Sequence, residues 1–264
     1  LAQDGIPFNE ADGTGDFQLI DPLIARYTEV YKGGNALRFG GALLGGAVNL
    51  ITPTGHTAPA DVTLRIDGGS FETVRGHAEV GQVFGDWDLF AAATAISANG
   101  WRDQSDQTAQ HLSMSIGRSF GAERDVRLIL KVGNVEQEIP GSLTLTQALN
   151  TPTMAAAANV ANDYGRDMRS LRSSVQTHWR LTPSTTVDGG VYATWKDLHH
   201  PIFQVIDQES RNWGAFVRFD TEAEIADRKA DFFYGVSYRS GDNDALQWVN
   251  VRSSRGAKTA QPRG

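Results

Sequence analysis

The residue types that most often carry chemistry are sparse in this chain and do not combine into a complete site. His199 and His200 could coordinate a metal ion, although an adjacent pair of loop histidines is more often merely solvated. Glu136 and Glu138 could act as acid and base, but the sequence places neither a histidine nor a nucleophile beside them. The chain contains no cysteine, which excludes disulfides and thiolate metal sites. No covalent chemistry is therefore predicted from these residues.

Composition narrows the possible partners. The 264 residues carry a formal net charge of -7 and no run rich in lysine or arginine, which argues against nucleic acid. No segment approaches the roughly 18 apolar residues that a membrane-spanning helix needs. The strands of a membrane β-barrel escape that test, because their alternating apolar and polar residues average to a low hydropathy. Neither end reads as a natural terminus, so both ends are expected to be cut.

The composition changes near Pro53, and a repeating pattern follows it. From about residue 61 to residue 238, segments of roughly ten residues alternate between apolar and polar side chains. Strands with one apolar face and one water-exposed face show this alternation. The earlier segments are noisier than the later ones. In the clearest segment, one face carries Leu171, Ser173, Val175, Thr177, Trp179 and Leu181, and the other carries Arg172, Ser174, Gln176, His178 and Arg180.

The connections between these segments fall into two kinds, short and long, which alternate along the chain apart from the first connection. Membrane β-barrels sort their connections in this way, because periplasmic turns are short and extracellular loops are long. Aromatic residues beside both kinds of connection predict two girdles at the membrane surfaces, although strands favour aromatic residues in any case. The tight connections are 68–71, 85–86, 121–125, 182–184 and 226–229, and the long ones are 99–108, 136–169 and 197–210, before a polar stretch after 240.

About the first fifty residues carry short motifs in a fixed order. Residues 4–7, 26–33, 36–40 and 45–53 read DGIP, RYTEVYKG, ALRFG and GGAVNLITP. In order and spacing these motifs closely resemble the second half of the plug domain of TonB-dependent outer-membrane receptors. A weaker resemblance, to the ferric-citrate and other iron-chelate receptors, lies in residues 16–22, 139–144 and 200–203.

The resemblance implies an all-β fold with two parts. The C-terminal half of a plug domain, residues 1–55, would precede about nine antiparallel strands of a transmembrane β-barrel, residues 56–264, and the full protein would have about 22 strands. It also implies active import of a ferric siderophore or ferric citrate across the outer membrane of a Gram-negative bacterium, with no enzyme activity and no cofactor. The partners would be the ferric chelate, outer-membrane lipid and a TonB-type energy-coupling protein that pulls a motif upstream of Leu1.

Two groups of residues are expected to serve such a receptor. The ligand is expected on the outer side, at segments 9–15, 136–169 and 197–210, and the residues expected to bind it are Asn9, Asp12, His199, His200 and Gln204. The residues expected to connect plug and barrel are Arg26, Glu29, Lys32, Arg75, Glu79, Arg172 and Arg180, with Lys196, Arg218 and Arg239 as further inward-facing candidates. Lys32 stands where the family commonly has arginine, and lysine lacks the bidentate fork, so the pairing geometry there is open.

Several alternatives stay open. The same class of transporter could carry cobalamin, a carbohydrate or another metal chelate, and a passive porin-like barrel or a soluble β-rich domain is a more remote possibility. Residues 153–160 could form one short helix in the longest loop or simply fill it. About nine strands cannot close a barrel of about 22, so the chain alone is expected not to insert stably, since an unpaired edge would lie in lipid.

Overall fold

The structure, a computed structural model, describes residues 1–10, 13–39 and 45–260. Asp12, one of the residues expected to bind the ligand, lies outside these ranges. Within them, no helix is long and apolar enough to cross a membrane. The chain forms one four-stranded sheet, called the plug sheet here, and one ten-stranded sheet, called the barrel sheet. The plug sheet ends at Ile51 and the barrel sheet begins at Val62.

The plug sheet consists of β1 (Ala2–Gln3), β2 (Ile6–Pro7), β3 (Tyr27–Lys32) and β4 (Gly46–Ile51), in the spatial order β2-β1-β4-β3. Asp4 and Gly5 join β1 to β2 with φ values of 52° and 78°, and an Asp-Gly pair with two positive φ values is the preferred two-residue hairpin turn. Three 3₁₀ helices, Phe17–Leu19, Pro22–Ile24 and Gly33–Phe39, fill the connections. The plug motifs at 4–7, 26–33 and 45–53 thus supply three strands of this sheet, β2, β3 and β4.

The barrel sheet is antiparallel throughout, and each strand pairs with its neighbours in chain order. This arrangement confirms the antiparallel barrel pattern, with ten strands where about nine were expected. Its strands are β5 (Val62–Gly68), β6 (Val74–Phe84), β7 (Trp87–Ala98), β8 (Gln107–Ser119), β9 (Arg124–Glu138), β10 (Gly165–Thr182), β11 (Thr185–Pro201), β12 (Gln204–Ile225), β13 (Arg228–Val251) and β14 (Ser254–Ala260).

The two faces of the barrel sheet differ in what they contact. Arg172 and Arg218 lie on the face that meets the plug sheet. Leu171, Val175 and Val191 lie on the other face and are 42%, 44% and 57% exposed. A continuous face of exposed apolar side chains is typical of a wall that meets lipid. The alternation of the sequence therefore assigned these side chains to the correct faces of the sheet.

The strands continue further than their apolar alternation does, and two expectations about loops are wrong for that reason. Residues 197–210, expected as a long loop, are the paired ends of β11 and β12, joined by Ile202 and Phe203 alone. The polar stretch after residue 240 likewise belongs to β13 and β14. Beyond the lipid both faces of a strand meet water, so the alternation is lost while the hydrogen-bonded ladder continues.

The longest connection lies between β9 and β10. It holds two short helices, α1 (Leu145–Asn150) and α2 (Ala157–Ala161), where one helix at 153–160 had been considered. Thr144 and Gln147 begin α1 with a reciprocal capping box, in which each side chain bonds to the backbone of the other. The connection is therefore a structured segment.

Candidate functional site at the plug–barrel interface

Side chains of the barrel sheet donate hydrogen bonds to the backbone carbonyls of the plug hairpin. The irregular chain of 4–9 has carbonyl oxygens without a strand partner, and a buried carbonyl needs a donor. Arginine suits this role because its guanidinium presents several fixed N–H groups. The bonds run from Gln176 to Asp4 (3.1 Å), Arg218 to Gly5 (2.9 Å), Arg172 to Pro7 (3.1 Å) and to Phe8 (3.3 Å), and Arg239 to Asn9 (3.1 Å).

Two of these arginines also stack on aromatic rings. The guanidinium of Arg172 lies 4.7 Å from the ring centroid of Phe8, and that of Arg218 lies 4.1 Å from the centroid of Phe216. The rings attract the cations while the N–H groups remain directed at the hairpin. Within the described ranges, the two charges are therefore held at the interface without a carboxylate directly paired to them.

An ion pair joins the plug hairpin to the middle of β9. Lys131 Nζ lies 2.9 Å from Asp4 Oδ2 and donates to Thr52 Oγ1 at 2.6 Å. Thr52 in turn donates to Asp4 through its backbone N–H at 2.7 Å and through its hydroxyl at 2.8 Å. The turn of the first hairpin, the end of β4 and the barrel sheet are thus connected by one group of three side chains.

A second, larger group of charges lies at the outer end of the interface. This apical charge cluster consists of Glu10, Asp16, Arg166, Lys196 and His200. Lys196 pairs with Glu10 and lies 2.7 Å from Asp16, while Arg166 pairs with Asp16 and has Nη1 3.0 Å from His200 Nδ1. Glu10 and Lys196 are both buried. Glu10 Oε2 and Arg166 Nε have no hydrogen-bond partner among the described residues, so the cluster has spare hydrogen-bonding capacity.

The surroundings shift the pKa values of two members of the cluster, Asp16 and His200. Burial alone would raise the pKa of Asp16, but hydrogen bonds and positive charge from Lys196 and Arg166 outweigh burial and hold that pKa below its ordinary value. Burial and the charge of Arg166 lower the pKa of His200 to about 4. The carboxylate is therefore ionised, and the imidazole is neutral and accepts the hydrogen bond from Arg166.

A buried polar chain connects the plug to β6 and β7. The Thr94 hydroxyl donates to the Asp21 carboxylate, and its oxygen lies 2.7 Å from His77 Nδ1. Because the hydroxyl has a single proton, Nδ1 must be the donor in that second bond. His77 Nε2 lies 3.5 Å from Glu79, and all four side chains are buried.

The residues between the two sheets are tied to the barrel sheet as well. Asp88, only 1% exposed, accepts two hydrogen bonds from Arg127, at 2.9 and 2.8 Å, and one from the backbone N–H of Gly55 at 2.8 Å. A bidentate arginine–carboxylate pair is among the strongest ion pairs in proteins. It holds the segment after β4 against the tight-turn end of the barrel sheet.

The outer connections pack on one another above the apical charge cluster. Arg102, in the connection between β7 and β8, donates to the carbonyl oxygens of Met154, Gly141 and Pro140 at distances between 2.7 and 3.3 Å. Asn250 on β13 donates to Ile202 at 2.6 Å. These bonds fasten the longest connection to its neighbour and the last hairpins to each other.

The residues expected to bind the ligand do not form one group. Asn9 donates to the Gly13 carbonyl at 3.0 Å at the tip of the plug. His200 belongs to the apical charge cluster, whereas His199 is on the opposite face of β11, 2.7 Å from Asp207. Gln204 lies 3.4 Å from Thr259 on β14. The alternation of a strand separates the two histidines, which the interpretation as a loop pair did not consider.

The residues expected to connect plug and barrel divide in the same way. Arg172 contacts the plug hairpin, and Arg75 lines a cavity of about 260 Å³ that is also lined by plug residues Gln18 and Asp21. Glu79 is near the polar chain that begins at Asp21. The remaining four have other surroundings: Arg26 donates to Thr57, Glu29 accepts from Asn49 at 2.9 Å, Arg180 lies 3.4 Å from Glu123, and Lys32 is exposed with no ion pair to any residue described.

Position along the strand explains the surroundings of three of these residues. Glu29 and Lys32 are on β3, at an edge of the plug sheet, and the nearest partner of Glu29 is the adjacent strand β4. Arg180 is near the end of β10, beside a tight turn and beyond the plug. Residue type and face indicated the charge and its direction, but the position along the strand decides whether the plug is within reach.

Asp16 and Asp21 were missed because aspartate is ordinary in turns, and Asp88, on β7, because nothing in the sequence marks Arg127 as its partner. For Asp16, one available signal was the inward row of β10–β12, in which Lys196 is a candidate of opposite charge. The partner within that row is set by register, which the sequence does not specify.

The comparisons with known proteins agree with this architecture. No family model matches the chain. The ferrichrome receptor FcuA of Yersinia enterocolitica is 26% identical over 204 residues, which cover 74% of this chain and 27% of the receptor. The chain therefore spans about a quarter of that relative's length. Its name describes a receptor, in agreement with the prediction of no enzyme activity.

Solved structures share the fold at lower identity. Pseudomonas aeruginosa FpvA with a bound ferric pyoverdine has a TM-score of 0.76 at 13% identity, over 99% of this chain and 40% of its own. The ferric citrate transporter FecA has a TM-score of 0.75 at 16% identity, over 99% and 41%. The ferric-catecholate import receptor Fiu of Escherichia coli K12 has 0.73 at 12%, over 99% and 46%. The chain thus has the plug-and-barrel fold of the TonB-dependent receptors of the Gram-negative outer membrane, as its motifs predicted.

Proposed function

We propose that the protein to which this chain belongs actively imports a ferric siderophore or ferric citrate across the outer membrane. The observation that carries the proposal is the plug sheet seated on the inner face of the barrel sheet by buried charges, above all Lys196 with Glu10 and Asp16. A passive pore has no use for a domain fastened into its lumen. The named cargoes of similar proteins, which are ferrichrome, pyoverdine and ferric citrate, favour an iron chelate.

The plug–barrel contacts suit a domain that must hold and then yield. Ion pairs and hydrogen bonds depend on distance and angle, so a small displacement breaks them. Apolar contacts would be lost more gradually as the plug moves. We propose that a TonB-type energy-coupling protein supplies that displacement by pulling a motif upstream of Leu1. The division into a plug part at 1–55 and a barrel part at 56–264 belongs to the same proposal.

The ligand-binding surface is proposed on the outer side, where the apical charge cluster lies below the connections fastened by Arg102. Asn9, bonded to the Gly13 carbonyl, and His200, bonded to Arg166, are the described residues that support this position. Asp12 and Gln204 remain predictions of the same kind. Spare hydrogen-bonding capacity on Glu10 and Arg166 gives the cluster polar atoms that a chelate could use.

The first experiment distinguishes an iron chelate from other cargoes. Uptake of iron-55 from a panel of chelates should be measured in cells with and without the complete gene, each with and without a proton uncoupler. Gene-dependent, uncoupler-sensitive uptake of one chelate is expected. Absence of any iron uptake, with the protein present in the outer membrane, would refute the iron proposal and favour cobalamin or a carbohydrate; uptake insensitive to the uncoupler would favour a porin-like barrel.

Two adjacent histidines offer a matched pair of variants for the binding surface. His200→Ala removes a side chain of the apical charge cluster, whereas His199→Ala removes its neighbour on the opposite face. The first is expected to weaken chelate binding and the second to leave it unchanged, in binding assays on the full receptor. Equal affinities for both variants and the unaltered receptor would contradict the proposed position of the ligand.

A further inference from the structure

Five side chains form an alternating row of aromatic rings and arginines across four neighbouring strands. This row, called the rim ladder, consists of Trp87, Arg118, Phe120, Arg124 and Trp179. The guanidinium of Arg118 lies 5.2 Å from the ring centroid of Trp87 and 4.9 Å from that of Phe120. The guanidinium of Arg124 lies 5.3 Å from the centroid of Trp179. All three distances are within the range of a cation–π contact.

The register of the strands explains how the members of the ladder come to lie side by side. Trp87 is directly opposite Arg118, Trp179 is directly opposite Arg124, and the Phe120 backbone N–H donates to the Arg124 carbonyl at 2.8 Å. Side chains that face each other across an antiparallel pair are about 5 Å apart. The ladder is therefore set by backbone pairing and does not depend on flexible side chains finding one another.

The ladder lies on the face of the barrel sheet that points away from the plug. Its rings are 41% to 49% exposed, and the next residues on the same face, Val126 and Leu128, are exposed apolar side chains. It stands at the tight-turn end of the strands, where aromatic rings of a membrane barrel meet the lipid headgroups. The adjacent surface suits acyl chains, which favours a lipid over a soluble partner.

Neither arginine of the ladder is neutralised within the described part of the chain. Arg118 and Arg124 have no ion pair there. Arg127, three residues after Arg124 but on the inner face of β9, is paired with Asp88. Stacking on a ring orients the guanidinium but leaves its N–H groups free to donate, and their planar fork matches the oxygens of a phosphate. Two exposed cations without a counter-ion thus stand at the level of the headgroups.

We propose that the rim ladder is a binding site for the phosphate of an anionic phospholipid in the periplasmic leaflet of the outer membrane. The two guanidiniums would donate to the phosphate oxygens, the rings would lie among the glycerol and headgroup atoms, and the acyl chains would cover Val126 and Leu128. This site is separate from the plug and from the proposed transport of a chelate, so each can fail without the other.

The test uses the full-length receptor in bilayer discs that contain phosphatidylcholine and phosphatidylglycerol in equal amounts. After extraction into mild detergent, native mass spectrometry counts the molecules of each lipid that stay bound. The unaltered receptor is expected to retain phosphatidylglycerol in preference to phosphatidylcholine by about tenfold, and the double variant R118Q/R124Q by no more than about twofold, given the usual contribution of a basic residue beside an anionic surface.

Two further variants make the result specific. R118K/R124K retains the charges and should retain most of the preference, while R211Q removes an arginine from the same face at the opposite end of the sheet and should retain all of it. Resistance of each variant to unfolding on gels reports intact folding. The proposal is overturned if the unaltered receptor shows no preference for the anionic lipid, or if R118Q/R124Q and R211Q change that preference equally.

Discussion

Replacing Lys196 with methionine should loosen the tip of the plug without unfolding the barrel. Lys196 has a side chain only 11% exposed and is the one ion-pair partner of Glu10 among the residues described. Methionine keeps the length of the side chain but leaves two buried carboxylates, of which Asp16 retains Arg166. Removing one partner of a buried ion pair costs about 3–5 kcal/mol, and about 2–3 kcal/mol is expected here because one partner remains.

The measurement is hydrogen exchange of the full-length receptor, followed in peptides that cover residues 8–10 and 13–19. A loss of 2 kcal/mol corresponds to roughly 30-fold faster exchange, since each 1.4 kcal/mol is a factor of ten. Peptides from β8 and β9 should be unaffected because local opening need not involve the barrel strands. Adding Glu10→Gln to Lys196→Met should recover part of the loss, because the stranded charge is then removed.

The matched control is Arg180→Met. Arg180 and Glu123 form an ion pair in which both side chains are 56% exposed, and such a pair contributes about 0–1 kcal/mol. Unchanged exchange at 13–19 in Lys196→Met, or an equal acceleration in both variants, would refute the argument that burial of the charges holds the plug tip.

Three further predictions concern other parts of the interface. Gly46→Ala should destabilise the plug sheet by about 1–3 kcal/mol, because Gly46 has a φ of 148° and a Cβ there would lie 2.4 Å from the Tyr31 carbonyl oxygen. Gly34→Ala is the control, because the space around Gly34 is open. Equal thermal unfolding of the two variants would contradict the prediction. Asp88→Asn should lower stability by about 3 kcal/mol and accelerate hydrogen exchange at residues 53–58, because Arg127 loses its buried partner. Asp67→Asn, at an exposed ion pair, should lower stability by less than about 1 kcal/mol. Similar losses of stability in the two variants would show that the Asp88–Arg127 pair is unimportant. Because the pKa of His200 is lowered from 6.5 to about 4, the unfolded chain binds a proton first as pH falls below 6.5, and the stability this residue contributes is progressively lost down to about pH 4. Between pH 7 and pH 4, His200→Gln should therefore lose less hydrogen-exchange protection at the plug tip than the unaltered receptor does. Identical pH profiles for the two proteins would refute this.

The sequence predicted the plug motifs and the faces of the strands because both depend on local rules. The Asp4-Gly5 pair specifies its own hairpin turn, and the alternation around Arg172 specifies which side chains point inward. The match in fold to known receptors over nearly the whole chain reflects these local signals.

Partners and strand ends could not be predicted, since both depend on what lies across space. Residues 197–210 look like a loop in isolation because polar residues occupy both faces, yet Asp197 pairs with Glu209 and His199 with Asp207 in a regular ladder. Glu29, Lys32 and Arg180 were expected to connect plug and barrel from their charge and strand face, which do not specify a partner. Asp16 and Lys196 are in contact although 180 positions separate them in the sequence, so no local pattern could pair them.

The extended pairing of β11 to β14 has a consequence for survival outside the cell. Proteases bind their substrates as single extended strands, so a cleavable site must first leave its ladder and expose unpaired backbone. From Tyr238 to Val251, β13 continues for roughly 40 Å at about 3.3 Å per residue, and β12 pairs with nearly all of it. A loop of the same polar composition would be an easy target for secreted enzymes of competing microbes. Among the residues described, these hairpins interrupt their strands at the two-residue turns Ile202-Phe203 and Arg252-Ser253, so the extended strands are protected by their own hydrogen bonds.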